Sequence, residues 1–322
     1  MAFAALTVLT ALTVLVAVSV PSAPQRHGDP RRGTGQDRAG AAIAAALRSL
    51  PGGGQAAVTV IGLGAPATTG AAAPVPIASV AKVMTARVVL ADHPLRADGR
   101  GPDVTVDRTA AYEAGTADES SVRVDPGQHL AERRLLELML IPSGNNIARL
   151  LARWDAGSEG AFVRKMNAAA AALGMRHTTY TGASGIEATT RSTAADQLVL
   201  ARRMMDDAVF RSIVSERTVE LPRGGGPVAN TNTLLGRYGV IGVKTGSSTP
   251  AGGALMWAAH LTVDGRDRLL LGVVLHQNAG TDSEEGLSAA LNNSRTLLVA
   301  LRDVLGAGSG TGSRATRGVR TP

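Results

Sequence analysis

Apolar positions fall into strand-like runs near the two ends of the chain and recur at helical spacing between them. Ala41 to Leu50 predicts a helix, and Ala56 to Leu63 is a β-branched run ending near glycine that predicts a strand. Ile77 to Leu90 is apolar on nearly every face, the pattern of a helix buried all round. Leu130 to Leu140 reads as a helix stopped by Pro142, and Ile147 to Trp154 and Phe162 to Leu173 continue a mainly helical middle. Gly239 to Lys244, Gly253 to Val263 and Leu269 to His276 predict strands, the last two joined by a turn at Asp264-Gly265. Leu287 to Leu305 predicts a closing helix. Strands at both ends around a helical middle predict an α/β (α+β) chain. Its antiparallel sheet is assembled from the two termini and flanked by helices, with a helical subdomain inserted.

The extreme ends break this pattern. Ala2 to Val20 carries no charge and has the length of a membrane span or a signal-peptide core, so residues 1–20 are expected to be a signal or membrane-anchor segment. No positive residue precedes it, whereas Arg26, Arg31, Arg32 and Arg38 follow it, the reverse of the usual charge order for an exported segment. Residues 21–40, rich in Pro, Gly and Arg, read as a linker; 41–305 form one folded domain; 306–322, rich in Gly, Ser, Thr and Arg, read as a disordered tail.

Composition narrows the chemistry. Hydrophobic residues make up 44% of the chain but aromatics only 2%, so the core must be built from Ala, Val, Leu and Ile. The net charge of +7 is spread thinly, without the basic stripe and interleaved aromatics of a nucleic-acid binder. With no cysteine, disulfides, thiolate metal sites and thiol catalysis are excluded. The six histidines show no metal-ligand spacing, and no metal or cofactor is implied. Trp154 and Trp257 read as core residues, and Gly62-Leu63-Gly64 as a turn. The chain has 33 basic residues, of which only Lys82, Lys165 and Lys244 are lysines. Arginine does not release its proton in a protein, whereas a buried lysine can. A chain that otherwise uses arginine but keeps lysine at Lys82 and Lys244 is an enzyme candidate with amine chemistry at those points.

Both lysines lie in short motifs. In Ser79-Val80-Ala81-Lys82 the first and last residues share one face of a helical turn. A serine hydroxyl is a poor nucleophile until a base takes its proton. Lys82 can be that base only if burial or a neighbouring cation lowers its pKa; the apolar helix supplies the first, and Lys244 could supply the second. Near the helix start, free N–H groups favour developing negative charge. Ser143-Gly144-Asn145 follows Pro142 and can point a hydroxyl and an amide into one cleft, although alone it reads more readily as a helix cap for Ile147 onward. Lys244-Thr245-Gly246 follows a strand-like run; Lys and Thr can bind a carboxylate, and glycine allows close approach to a strand edge.

The ordered set resembles the D-alanyl-D-alanine carboxypeptidases, the low-molecular-mass penicillin-binding serine peptidases. Ile77-Ala-Ser79-Val-Ala-Lys82-Val-Met84-Thr85-Ala86 is similar to their nucleophile segment, and Leu138-Met-Leu-Ile-Pro-Ser143-Gly-Asn-Asn146 to their second motif. Phe162 to Asn167, Ala172-Leu-Gly-Met175 with Thr178, Asn230-Thr-Asn-Thr-Leu-Leu235, Gly242-Val-Lys244-Thr-Gly246 and Ala251-Gly252-Gly253 extend the similarity over about Ala41 to Leu305. Gly185-Ile186-Glu187 stands where the family usually has Gly-Leu-Asp. The C-terminal β-rich domain and amphipathic anchor of many members are expected to be absent, because only a short tail follows the last predicted helix.

The resemblance implies the serine β-lactamase and penicillin-binding-protein fold. It implies that Ser79 attacks the bond between two terminal D-alanines and forms an acyl-enzyme, with Lys82 taking its proton. Ser143 would relay a proton to the leaving D-alanine, and Asn145 would hold the peptide or Lys82. Lys244, Thr245 and Gly246 would bind the end of the substrate, and the N–H groups of Ser79 and Ser247 would form the oxyanion hole. The implied partners are peptidoglycan stem peptides ending in D-Ala-D-Ala and β-lactams, with the membrane met through the N-terminal segment, outside the cytoplasm. A β-lactamase and a non-catalytic cell-wall-binding protein are the alternatives. The first would need a positioned glutamate, for which Glu187 is the nearest candidate; the second would have no reason to retain Lys82 and Lys244.

Overall fold

The computed structural model describes residues 30–115 and 119–306, with side chains from Ala39 onward. The expected anchor at residues 1–20, the first part of the expected linker, and residues 307–322 of the expected tail lie outside the described residues. From α1 (Pro30–Arg48) the chain enters β1 (Gln55–Val60), β2 (Leu63–Thr69) and the two-residue β3 (Val75–Pro76). A 3-10 turn, Ala78–Ala81, runs directly into α2 (Lys82–Asp92). A largely helical region follows, with β4 (Asp103–Thr105), α3 (Arg108–Glu113), β5 (His129–Ala131), α4 (Glu132–Leu140), α5 (Asn145–Ala156) and α6 (Glu159–Ala172). It continues through β6 (Arg191–Ser192), α7 (Ala194–Met204), α8 (Ala208–Val214), β7 (Thr218–Glu220) and β8 (Pro227–Ala229). The chain returns as β9 (Val240–Ser248), β10 (Gly252–Val263) and β11 (Arg266–Gln277), and closes on α9 (Ser283–Gly306). Among the described residues no helix is long and apolar enough to cross a membrane.

The five long strands form one antiparallel sheet in the order β2-β1-β11-β10-β9, so both ends of the chain do build it. Successive side chains of a strand point to opposite faces. On β10, Leu255, Trp257, Ala259 and Leu261 join α1 and α9 in one core, while Ala254, Met256 and Ala258 face the helical region in a second. Covering both faces explains why the central strands read as nearly continuous apolar runs rather than alternating ones. The turn between β10 and β11 falls at Asp264-Gly265, both left-handed.

Two expectations are corrected, and two helices appear that the periodicity did not predict. The first helix begins at Pro30, not Ala41, so the second half of the expected linker is helical. Proline suits a first helical position because its fixed φ is already helical and the N–H it lacks would be unpaired there. Leu130 and Ala131, expected to open a helix, belong instead to β5, which pairs with β4. The helices α7 and α8, absent from the periodicity reading, are capped by Thr193 and Asp207, whose side chains accept from Asp196 N and Phe210 N at 3.2 and 2.9 Å. That cap satisfies an otherwise orphaned helix donor.

Helix α2 is buried over most of its length: Lys82 to Ala86 and Val88 to Leu90 are buried, Arg87 is half-buried, and only Ala91 and Asp92 at its far end are exposed. Its start therefore drives into the body of the protein beside the edge strand β9, and the candidate site lies there.

Candidate active site

Ser79 sits in the 3-10 turn just ahead of α2, half-buried, with Lys82 fully buried one turn later. The Lys82 Nζ meets three oxygens: Ser79 Oγ at 2.7 Å, Asn145 Oδ1 at 2.5 Å and the Ser184 carbonyl at 2.9 Å. An amide oxygen and a carbonyl oxygen can only accept. A neutral Lys82 has two N–H groups and one lone pair. The two N–H groups go to Asn145 and Ser184, which leaves the lone pair facing the Ser79 hydroxyl. This is the arrangement in which a lysine can take a serine proton.

The surroundings favour the neutral amine. Burial, followed by the positive charges of Lys244 and Arg149, pushes Lys82 well below the ordinary lysine value, while Glu119 and Glu187 oppose them. Burial alone pushes Lys244 down to about 7. Two buried ammonium groups in one field disfavour each other, so the lysine expected to lose its proton is provided with the cation expected to expel it.

Three other segments build the walls. Ser143, in the left-handed region, and Asn145 occupy the junction of α4 and α5. The Ser143 hydroxyl is buried and has no hydrogen-bond partner in the described structure, so it bonds neither Ser79 nor Lys82. The loop after Thr181 is drawn onto α2 by Thr85 Oγ1, which donates to the Ala183 carbonyl at 2.6 Å, and by Lys82 to Ser184. Gly185 lies so close that a Cβ there would meet the Ala78 carbonyl oxygen at 2.1 Å. The third wall is β9, where Lys244 and Gly246 lie opposite Met256 and Ala254 and so point to the face that carries α2. A Cβ on Gly246 would stand 2.9 Å from Ser79 N and 3.0 Å from Val80 N. Ser247 follows on the same strand, half-buried. Lys244 Nζ donates to the Thr245 carbonyl at 2.9 Å, and the Thr245 hydroxyl is 2.5 Å from that of Thr231.

The structure thus brings Ser79, Lys82 and Asn145 into direct contact and sets Lys244 and Gly246 against them. Of the two roles open to Asn145, holding Lys82 is the one it performs here. Lys165, the third lysine, is structural: it bridges Asp92 and Asp155 at 2.8 and 2.6 Å, linking α6 to α2 and α5. Glu119, Arg149, Thr231 and the Ser184 carbonyl were not legible as site groups. Only Arg149 left a trace, lying four residues after Asn145 and so on the same helix face.

A family model described as D-alanyl-D-alanine carboxypeptidase matches residues 67–278, a span that contains all three motifs. The chain belongs to the D-alanyl-D-alanine carboxypeptidase family. It is 33% identical over 197 residues to a D-alanyl-D-alanine carboxypeptidase of Streptomyces sp. strain K15, covering 56% of this chain and 67% of that one. It is 34% identical over 194 residues to the D-alanyl-D-alanine carboxypeptidase DacB2 of Mycobacterium tuberculosis, covering 57% and 62%. The chain therefore spans about two thirds of the length of these carboxypeptidases. The crystal structure of the Streptomyces K15 DD-transpeptidase is similar with a TM-score of 0.64 and 28% identity, over 76% of this chain and 95% of that one. The family's fold, an antiparallel sheet flanked by helices, is the fold found here.

Proposed function

We propose that the protein is a serine-type D-Ala-D-Ala carboxypeptidase that removes the terminal D-alanine from peptidoglycan stem peptides. The observation that carries this reading is the 2.7 Å contact between Ser79 Oγ and a buried Lys82 whose other two contacts are pure acceptors. Ser79 Oγ attacks the carbonyl carbon of the last peptide bond as its proton passes to Lys82. The N–H groups of Ser79 and Ser247 receive the oxyanion, a contribution that grows as charge develops. The C–N bond breaks, the leaving D-alanine amine takes a proton relayed through Ser143, and water hydrolyses the ester on Ser79. Lys244 and Thr245 hold the terminal carboxylate. β-Lactams, which mimic the terminal dipeptide, acylate the same oxygen.

The test is the intact mass of the protein over time with benzylpenicillin, beside Ser79→Ala. A persistent adduct on the wild type only, with D-alanine released from a D-Ala-D-Ala peptide, is the expected result. A short-lived adduct with steady loss of the drug moves the reading to a β-lactamase, with Glu187 as the residue to examine. A folded wild type that never gains mass leaves only a cell-wall-binding role.

We also infer that the enzyme works outside the cytoplasmic membrane, tethered or exported by residues 1–20. The uncharged apolar segment supports this, as does a substrate class that lies outside that membrane. Cell fractionation is expected to recover the full-length protein with membranes or in the extracytoplasmic fraction; recovery of it in the soluble cytoplasm refutes the inference.

A further inference from the structure

Asn145 has two sides, and only one of them suits a base at Lys82. Its Oδ1 accepts from Lys82, and its Nδ2 donates to Glu119 Oε2 at 2.8 Å. If the amide turned over, Nδ2 would face Lys82 and claim the lone pair of the neutral amine. The Ser79 proton would then have no acceptor. Nothing in the amide itself prevents the flip, because its two ends are nearly identical in size.

Glu119 prevents it. An ionised carboxylate only accepts, so it selects the donor end of Asn145. It is in turn clamped by the Arg149 guanidinium, which reaches both carboxylate oxygens, one of them (Oε2) at 3.3 Å. Burial pushes the Glu119 carboxyl up, but the hydrogen bonds from Arg149 and Asn145 outweigh it and hold the group below the usual carboxylate range. Arg149 is itself fixed by Glu113, Nε to Oε2 at 3.0 Å. We propose, on the basis of the catalytic reading above, that Glu119 is a positioning residue: clamped by Arg149, it locks the Asn145 amide so that Lys82 keeps its lone pair for Ser79.

The segment does not depend on Glu119 for its place. Asn145 N donates to the Ser120 carbonyl at 2.8 Å, and the buried Asn146 side chain bonds both Val122 N and Val122 O, at 3.0 and 2.8 Å. Glu119→Gln is therefore expected to fold. Glutamine can present a donor where the carboxylate could not, so the lock is lost while shape is kept.

The experiment is the second-order rate of acylation by benzylpenicillin as a function of pH, by intact mass. It compares wild type, Glu119→Gln, Glu119→Asp and Glu113→Gln. Glu119→Gln is expected to acylate about tenfold more slowly or worse, the scale of a lost hydrogen bond to a charged group. Its acid limb should also move to lower pH. The charged groups that act on Lys82 are Lys244 on β9, Arg149 on α5, Glu119 itself and Glu187 in the loop beyond Thr181. Removing the negative Glu119 leaves the cations less opposed, so Lys82 holds its proton less tightly. Glu119→Asp, still acceptor-only, should recover most of the rate, and Glu113→Gln, which touches Arg149 but not Asn145, should stay near wild type. Wild-type rates in Glu119→Gln overturn the proposal. So does an equal slowing of all three variants with an unmoved acid limb, the mark of a merely structural role. A wild type that fails to acylate overturns the catalytic reading and this inference with it, and that result is read on the wild type alone.

Discussion

Replacing Lys82 by arginine is expected to slow acylation of Ser79 by benzylpenicillin by about 10²- to 10⁴-fold, the contribution of a positioned general base. Arginine has a long basic side chain but does not give up a proton at any accessible pH, whereas Lys82 is held neutral. The arginine variant tests the loss of the base with a charge added, so a neutral variant is needed beside it. Arginine is larger, and crowding a buried site costs about 1–3 kcal/mol. Lys82→Met, of similar length and without charge, is the companion; both should remain folded by thermal unfolding and both should fail to acylate. In the wild type the rate should rise with pH as Lys82 loses its proton. Burial and the Lys244 charge depress that pKa, so the rise should fall well below the ordinary lysine value of 10.5. Either variant reacting near the wild-type rate would assign the Ser79 proton to another acceptor. A rise placed near 10.5 would mean that Lys82 is not held neutral.

The parts of the site that were legible in the sequence are those whose chemistry is carried by neighbours in the chain. Ser79 and Lys82 are one turn apart, and Ser143 and Asn145 two residues apart, so spacing and residue type are enough. The scarcity of lysine helped, though it did not separate Lys165, whose part is an ion pair between helices. The parts that were not legible depend on chain crossings. Glu119 meets Asn145 across 26 residues, and Ser184 meets Lys82 across 102, through a carbonyl that every residue type carries. No residue identity could have marked Ser184. For Glu119 the local sequence shows only an acidic residue in a polar stretch, and its partner Arg149 is one arginine among many.

The fold divides in the same way. The strands β9, β10 and β11 were legible because they are long, apolar and punctuated by turn residues. Helix α7 was overlooked because it packs both on the sheet and on α2, so its buried positions do not trace a single stripe. Its start was nonetheless written as Thr193-Ala-Ala-Asp196, a cap with an acidic residue in the first turn. The helical middle places the α4–α5 junction and the loop after Thr181 around the start of α2, while the sheet contributes only its edge strand. A site assembled at that seam uses the buried helix for desolvation and the outer edge of β9, half-buried at Ser247 and Ser248, for access, which no single layer supplies.

The seam is narrowest at Gly246, and Gly246→Ala is expected to lower the acylation rate by about 10²-fold, the scale of a misplacement near 1 Å. The added Cβ would stand 2.9 Å from Ser79 N, 3.0 Å from Val80 N and 3.1 Å from the Ile77 carbonyl oxygen. All three are backbone atoms, so no rotamer change relieves the contact. Either β9 retreats or the nucleophile turn is pushed aside, and both carry Ser79 away from Ser247 and Lys244. Pairing of Ala254 with Gly246 resists the first movement, and the burial of α2 resists the second. The stability loss should be modest beside the kinetic one, about 1–3 kcal/mol in denaturant unfolding, because overpacking strains a site that the rest of the sheet still supports. Gly160→Ala, in helix α6 with nothing within 4 Å of the added carbon, is the matched control and should acylate as the wild type does. If Gly246→Ala keeps the wild-type rate, the gap between β9 and the Ser79 turn is wider in solution than the contact distances state, and the glycine is there for some other reason than closeness to the nucleophile.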